Sequence, residues 1–138
     1  MNLKITIYDL GGSQGFRGIW PRYYHEVHGF VFVVDSADSA RLAEASLAFK
    51  DFLKNPKVKG KPLLLLCNKS DLEEAQDEIH IVDKLNVERL VNDSKCPTRV
   101  EQTIAAKNQV ICQFYETLAR YLNGFLIFRV SKLATNGW

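Results

Sequence analysis

A chain of 138 residues, 46% hydrophobic and 25% charged, has the size and composition of one globular domain with a real core. A formal net charge of +2 excludes the strongly basic footprint of a nucleic-acid binder, and no run reaches the ~20 apolar residues of a membrane span. The three cysteines, Cys67, Cys96 and Cys112, are widely spaced and form no Cys-x-x-Cys pair, the usage of reduced thiols in an intracellular, cytoplasmic protein.

In chain order, Met1 to Ile7 lacks the long apolar region of a signal peptide, and Asn2 stands where a myristoylation signal needs glycine. Leu3 to Tyr8 reads as a short strand rich in β-branched residues. Gly11 to Gly18 is a glycine-rich loop, and Ile19, Trp20, Tyr23 and Tyr24 are spaced as a helical apolar face over Ile19 to Glu26. Gly29 to Val34 is a continuous apolar strand, suited to the inside of a parallel sheet. Asp38 or Ser39 caps a helix whose Leu42, Ala45, Phe49, Phe52 and Leu53 recur at three- and four-residue spacing, and which Asn55-Pro56 ends. Lys57, Lys59 and Lys61 read as a solvated basic loop, with contact to a membrane surface as the alternative. Pro62 to Cys67 is a third strand. Glu73 to Leu90, with Ile79, Val82 and Leu85, holds one or two short helices. Thr98 to Ile104 is a last strand, and Val110, Phe114, Leu118 and Leu122 mark an amphipathic helix capped by Asn108 and stopped by Gly124. Strands alternating with helices give an α/β fold with a mostly parallel sheet.

Two motifs sit at strand ends, where ligands bind in such sheets. After the first strand comes Asp9-Leu10-Gly11-Gly12. Asp9 can hold Mg²⁺ through water, and Gly12 can turn its N–H toward a phosphate; the same residues also suit a plain turn. After the third strand comes Asn68-Lys69-Ser70-Asp71. An ionised Asp71 accepts two hydrogen bonds, matching the N1–H and exocyclic NH₂ of guanine, which adenine lacks. Lys69 can lay its apolar stem along a purine face, and Asn68 can tie the loop together and reach N7. The bland reading is a polar turn capping the next helix. His25 and His28, one helical turn apart, have no further ligands nearby in sequence and read as surface loop.

With Arg17-Gly18-Ile19-Trp20, Tyr23-Tyr24 and Phe32-Val33-Val34-Asp35-Ser36 between them, these motifs make the chain resemble the Arf and Arf-like small GTPases. The likeness runs from Leu3 to about Leu122, and the Arg-Gly-Ile-Trp wording is nearest to the ciliary Arf-like thirteen branch. The resemblance implies a P-loop-NTPase-like α/β fold, a parallel sheet flanked by helices, with residues 1–123 a partial G domain and residues 124–138 an apolar and basic tail. It implies binding of GTP or GDP with Mg²⁺. Asp9, Gly12, Asn68, Lys69 and Asp71 would serve the nucleotide, with Ala105 of Ile104-Ala105-Ala106-Lys107 contributing the last base contact. Tyr8 and Tyr23, with Trp20 beside them, match the face that recognises effectors or regulators. A place in the cilium is implied in the same way.

The chain also departs from that pattern. Ser13 stands at the position of the water-orienting glutamine, so hydrolysis is expected to be slow or lacking. No Gly-x-x-x-x-Gly-Lys-Ser/Thr run occurs; the family's first two strands and phosphate loop have no counterpart. The family's strand order is 2-3-1-4-5-6, so the expectation is an N-terminally incomplete domain. Its Leu3–Tyr8 strand would lose both neighbours, and a gap would expose Val31, Val33 and the side of Leu64. Three readings of the run from Gly124 to Lys132 stay open: it covers the exposed sheet, anchors at an interface, or is out-of-frame sequence. The rival to a nucleotide switch is a nucleotide-free interaction module that binds or competes for family partners.

Overall fold

The computed structural model describes residues 3–104 and 124–132, with side chains over residues 6–104. Five strands form one sheet: β1 (Leu3–Gly11), β2 (Gly29–Asp35), β3 (Leu63–Asn68), β4 (Thr98–Gln102) and β5 (Gly124–Lys132), in the order β1-β5-β2-β3-β4. β2, β3 and β4 are parallel, with Phe30 beside Leu63 and Leu63 beside Thr98. β5 runs antiparallel to both its neighbours. It pairs residue for residue with β1, from Leu3–Lys132 to Gly11–Gly124, and over Gly29–Phe128 to Phe32–Phe125 with β2. β1 therefore points the same way as β2, β3 and β4.

This arrangement corrects the expected gap. The first strand has a neighbour, and it runs to Gly11 rather than Tyr8. The run at 124–132 covers the sheet by becoming one of its strands. Its Phe-Leu-Ile-Phe core has the β propensity of an inner strand, and both its edges find ladder partners. Val31 and Leu64, expected to be bare, are 3% and 8% exposed.

One face of the sheet carries the core. Phe30, Phe32 and Val34 of β2 alternate onto it with Leu63, Leu65 and Cys67 of β3. Over them lies α1 (Ser39–Lys54), capped by Asp38, whose carboxylate accepts from the Arg41 N–H at 3.3 Å. Its stripe of Leu42, Ala48, Phe49, Phe52 and Leu53 is buried as the periodicity required. Phe30 meets Phe52 edge to face at 5.0 Å, and Phe32 meets Phe49 at 5.1 Å. The segment expected as one or two helices is α2 (Glu78–Lys84) and α3 (Val87–Ser94). There Ile81 and Leu85 are buried while Ile79 is 81% exposed. Residues 17–22 form a short 3₁₀ helix rather than an α-helix; Pro21 inside it removes a backbone donor. The helix expected over 108–122 lies outside the described residues. Lys61 leaves the solvated loop: its ammonium donates to the Tyr24 carbonyl and sits 6.0 Å from the Phe30 ring centroid.

Candidate functional site

Both motifs lie at the carboxyl edge of the sheet. The Asn68 loop is the better built. Asn68 ends β3 and is 5% exposed, so its amide needs partners. Its Oδ1 accepts from the Thr103 hydroxyl at 3.2 Å. The Thr103 carbonyl accepts from the Ser70 N–H at 3.3 Å and the Ser70 hydroxyl at 3.1 Å, while the Thr103 N–H donates to the Cys67 carbonyl at 2.9 Å. Thr103 therefore clamps the 68–71 loop to the segment leading into Ile104. Nothing in the sequence alone singled this residue out. Ala105 lies outside the described residues. Asp71 is exposed at the mouth of the loop.

Lys69 takes a left-handed backbone conformation, φ +58°. That turn sends its ammonium to Asp35 at the end of β2, 2.7 Å away. Asp35 is anchored in turn, its other oxygen accepting from the Ala37 N–H at 2.9 Å. The ion pair joins the ends of β2 and β3. Cys67, just inside this edge, is buried, and burial pushes its thiol up to about 12, with the negative charge of Glu78 adding to the effect. It is an inert core thiol rather than a nucleophile.

The glycine loop is held from behind. Arg17 Nε donates to the Gly12 carbonyl at 3.0 Å, and its guanidinium pairs with Glu44 of α1 at 2.7 Å. Trp20 Nε1 donates to the Gly11 carbonyl at 3.0 Å. A Cβ on Gly11 would stand 2.9 Å from the ring of Phe16, so a larger residue there would have to displace that exposed side chain. This overturns one expectation: Trp20 is 4% exposed and packs edge to face on Phe32, so its ring is a core element and not part of an exposed face. Tyr8 and Tyr23 remain half-buried, with ring centroids 4.9 Å apart. Gly12 and Ser13, with Arg17, Asp35, Asp38 and Lys69, rim a cavity of about 440 Å³ floored by Trp20, Phe32, Val34 and Leu42.

Asp9 lies within β1, paired with Leu126, and its side chain is exposed. Alternation puts it on the face opposite Leu10, which belongs to the core. Among the described residues no group of three or more His, Cys, Asp and Glu can hold a metal. Asp9 is a single exposed carboxylate. No helix among the described residues is long and apolar enough to cross a membrane.

Comparison with known proteins agrees with this layout. The chain is 33% identical to ADP-ribosylation factor K of Dictyostelium discoideum over 122 residues, 88% of this chain and 63% of that protein. It is 38% identical to ADP-ribosylation factor-like protein 13B of Chlamydomonas reinhardtii over 84 residues, 61% of this chain and 16% of that protein. It therefore spans less than two thirds of the length of either relative. The Arl6 BBS3 small GTPase of Trypanosoma brucei, solved with a bound nucleotide analogue, superposes with a TM-score of 0.68 at 23% identity, covering 88% of this chain and 79% of that one. That likeness shows the small-GTPase fold. The model of the ADP-ribosylation factor family matches residues 1–122, and the chain belongs to that family.

Proposed function

We propose that this chain is a guanine-nucleotide-binding switch protein of the Arf-like kind, nearest to the thirteen branch and acting in the cytoplasm or the cilium. Its own residues supply a base grip rather than a phosphate grip. The observation that carries this reading is the clamp of Asn68 and Ser70 on Thr103, which fixes the loop through buried polar groups. In this reading Asp71 accepts the two donors on the guanine edge. Lys69 exchanges its hold on Asp35 for a place along the purine face. Ala105 gives a backbone N–H, and Gly12 and Asp9 face the γ-phosphate and the water shell of Mg²⁺. Bound Mg²⁺ would supply charge neutralisation at the phosphates.

The strength follows from the chemistry present. Charge-assisted hydrogen bonds give about 1.5–3 kcal/mol each, against an association cost of at least ~4 kcal/mol. Binding by these 138 residues alone should be about millimolar, and hydrolysis weak or absent, since Ser13 is too short to orient water. A nucleotide-free interaction module is the second reading, favoured by the Tyr8–Tyr23 pair on the surface. Titration of the folded chain with fluorescent GDP and Mg²⁺, with GTP and ATP as competitors, separates the two. Saturable binding displaced by GTP and not by ATP supports the switch. Lack of any guanine preference leaves the interaction module.

A further inference from the structure

A groove of about 580 Å³ opens between the second half of α1 and α3. Its walls include Leu47 and Leu53, and its rim carries Lys50, Lys54, Lys59 and Arg89. Leu47 is exposed. The acidic residue of the lining, Asp93, reaches Arg89 at 4.0 Å, which leaves a cationic excess around an apolar floor.

The complement is on the same molecule. Residues 71–79 read Asp-Leu-Glu-Glu-Ala-Gln-Asp-Glu-Ile. Glu73 and Glu74 are exposed, and so are Leu72 and Ile79, two of the few large apolar side chains left in water. An acidic segment with apolar side chains matches a basic groove with an apolar floor in both charge and hydropathy.

Glu73 and Glu74 follow β3 at the carboxyl edge of the sheet. α1 starts at that same edge after β2 and carries Lys50 and Lys54 11 and 15 residues past Ser39, about 17 and 23 Å along its axis at 1.5 Å per residue. A net charge of only +2 offers little repulsion between copies.

We infer that this chain associates with itself head to tail, the 71–79 segment of one copy docking in the α1–α3 groove of the next. Such a contact joins two different surfaces, so it grows into open chains rather than closing as a two-fold dimer. Attraction between exposed charges is screened by salt, so association weakens as ionic strength rises.

The test is sedimentation velocity of the whole chain at low and high salt, with two double variants, Lys50→Glu/Lys54→Glu and Glu73→Lys/Glu74→Lys. All four positions are exposed, and circular dichroism checks that each variant folds. The wild-type weight-average mass should rise with concentration at low salt and fall to the monomer at high salt. Each variant alone should stay monomeric. An equimolar mixture of the two should regain association and grow as the wild type does, because the native segment matches the native groove and the reversed segment the reversed groove. A wild-type chain that stays monomeric at low salt overturns the inference. So does self-association that survives either double substitution, or a mixture that fails to pair.

Discussion

Proline substitution along β5 tests the strand that joins β1 to the rest of the sheet. Residues 125–128 pair with β1 on one side and β2 on the other, whereas residues 129–132 pair with β1 alone. In an antiparallel ladder a residue's N–H and C=O point to the same side, and successive residues alternate sides. Every N–H over 125–128 thus faces a strand, while over 129–132 alternate ones face away from β1. Proline removes a bond worth about 1 kcal/mol and leaves a carbonyl unpaired at about 1–3 kcal/mol. With ring clashes the cost is ~3 kcal/mol or more. Against a total stability of about 5–15 kcal/mol, that lowers Tm by roughly 10 °C for a domain of this length. Thermal melts of the eight single variants should show uniform loss at 125–128 and an every-other-residue pattern at 129–132. Even tolerance throughout would refute β5 as a sheet strand, and even loss throughout would mean that residues 25–28 extend the pairing beyond the start of β2.

Other outcomes follow from single contacts. The Ser36 hydroxyl is fully buried with no hydrogen-bond partner among the described residues, so Ser36→Ala should leave Tm unchanged or raise it by a few degrees in the same melts. Arg17→Ala frees the Gly12 carbonyl and Glu44; hydrogen exchange should show the 11–16 loop opening while stability falls by about 1 kcal/mol. Asp71→Ala removes both acceptors for the guanine edge, and NMR titration with GDP should lose its preference over ADP. Burial raises the Cys67 thiol from 9.0 to about 12, so between those values the unfolded chain has lost a proton that the folded chain keeps. Stability should then fall by up to ~1.4 kcal/mol per pH unit above about pH 9. Urea titrations should show a shallower decline in Cys67→Ala, with Tyr24, also raised by burial, steepening both curves at higher pH.

Where a segment's pattern has a period, the sequence spoke plainly. The stripe of α1, the apolar runs of β2 and β3 and the pair of helices after residue 77 all followed from spacing and caps. The two loops of the site were legible as motifs because strand ends are where such chemistry sits. Thr103 was not, since a lone threonine announces nothing until its carbonyl meets Ser70. Trp20 misled because an aromatic among tyrosines reads as surface, yet its indole N–H has a partner in Gly11 that allows full burial. The run 124–132 was the hardest. An apolar stretch without alternation says only that it is buried; which edges it joins is decided by strands more than ninety residues earlier.

That last dependence bears on how the chain comes off the ribosome. Among the described strands, the one that joins β1 to β2 comes last in chain order, pairing Leu3 with Lys132. While synthesis proceeds, β1 and β2 have no strand to join them, and β1 can wait only as a loose, sticky edge. Local pieces such as α1 with β2 and β3 can form early, but sheet closure must await the emergence of residues 124–132. The contacts that finish the fold are those of longest sequence separation, which form slowly. A nascent chain stalled short of residue 124 would therefore be a client for chaperones rather than a folded domain.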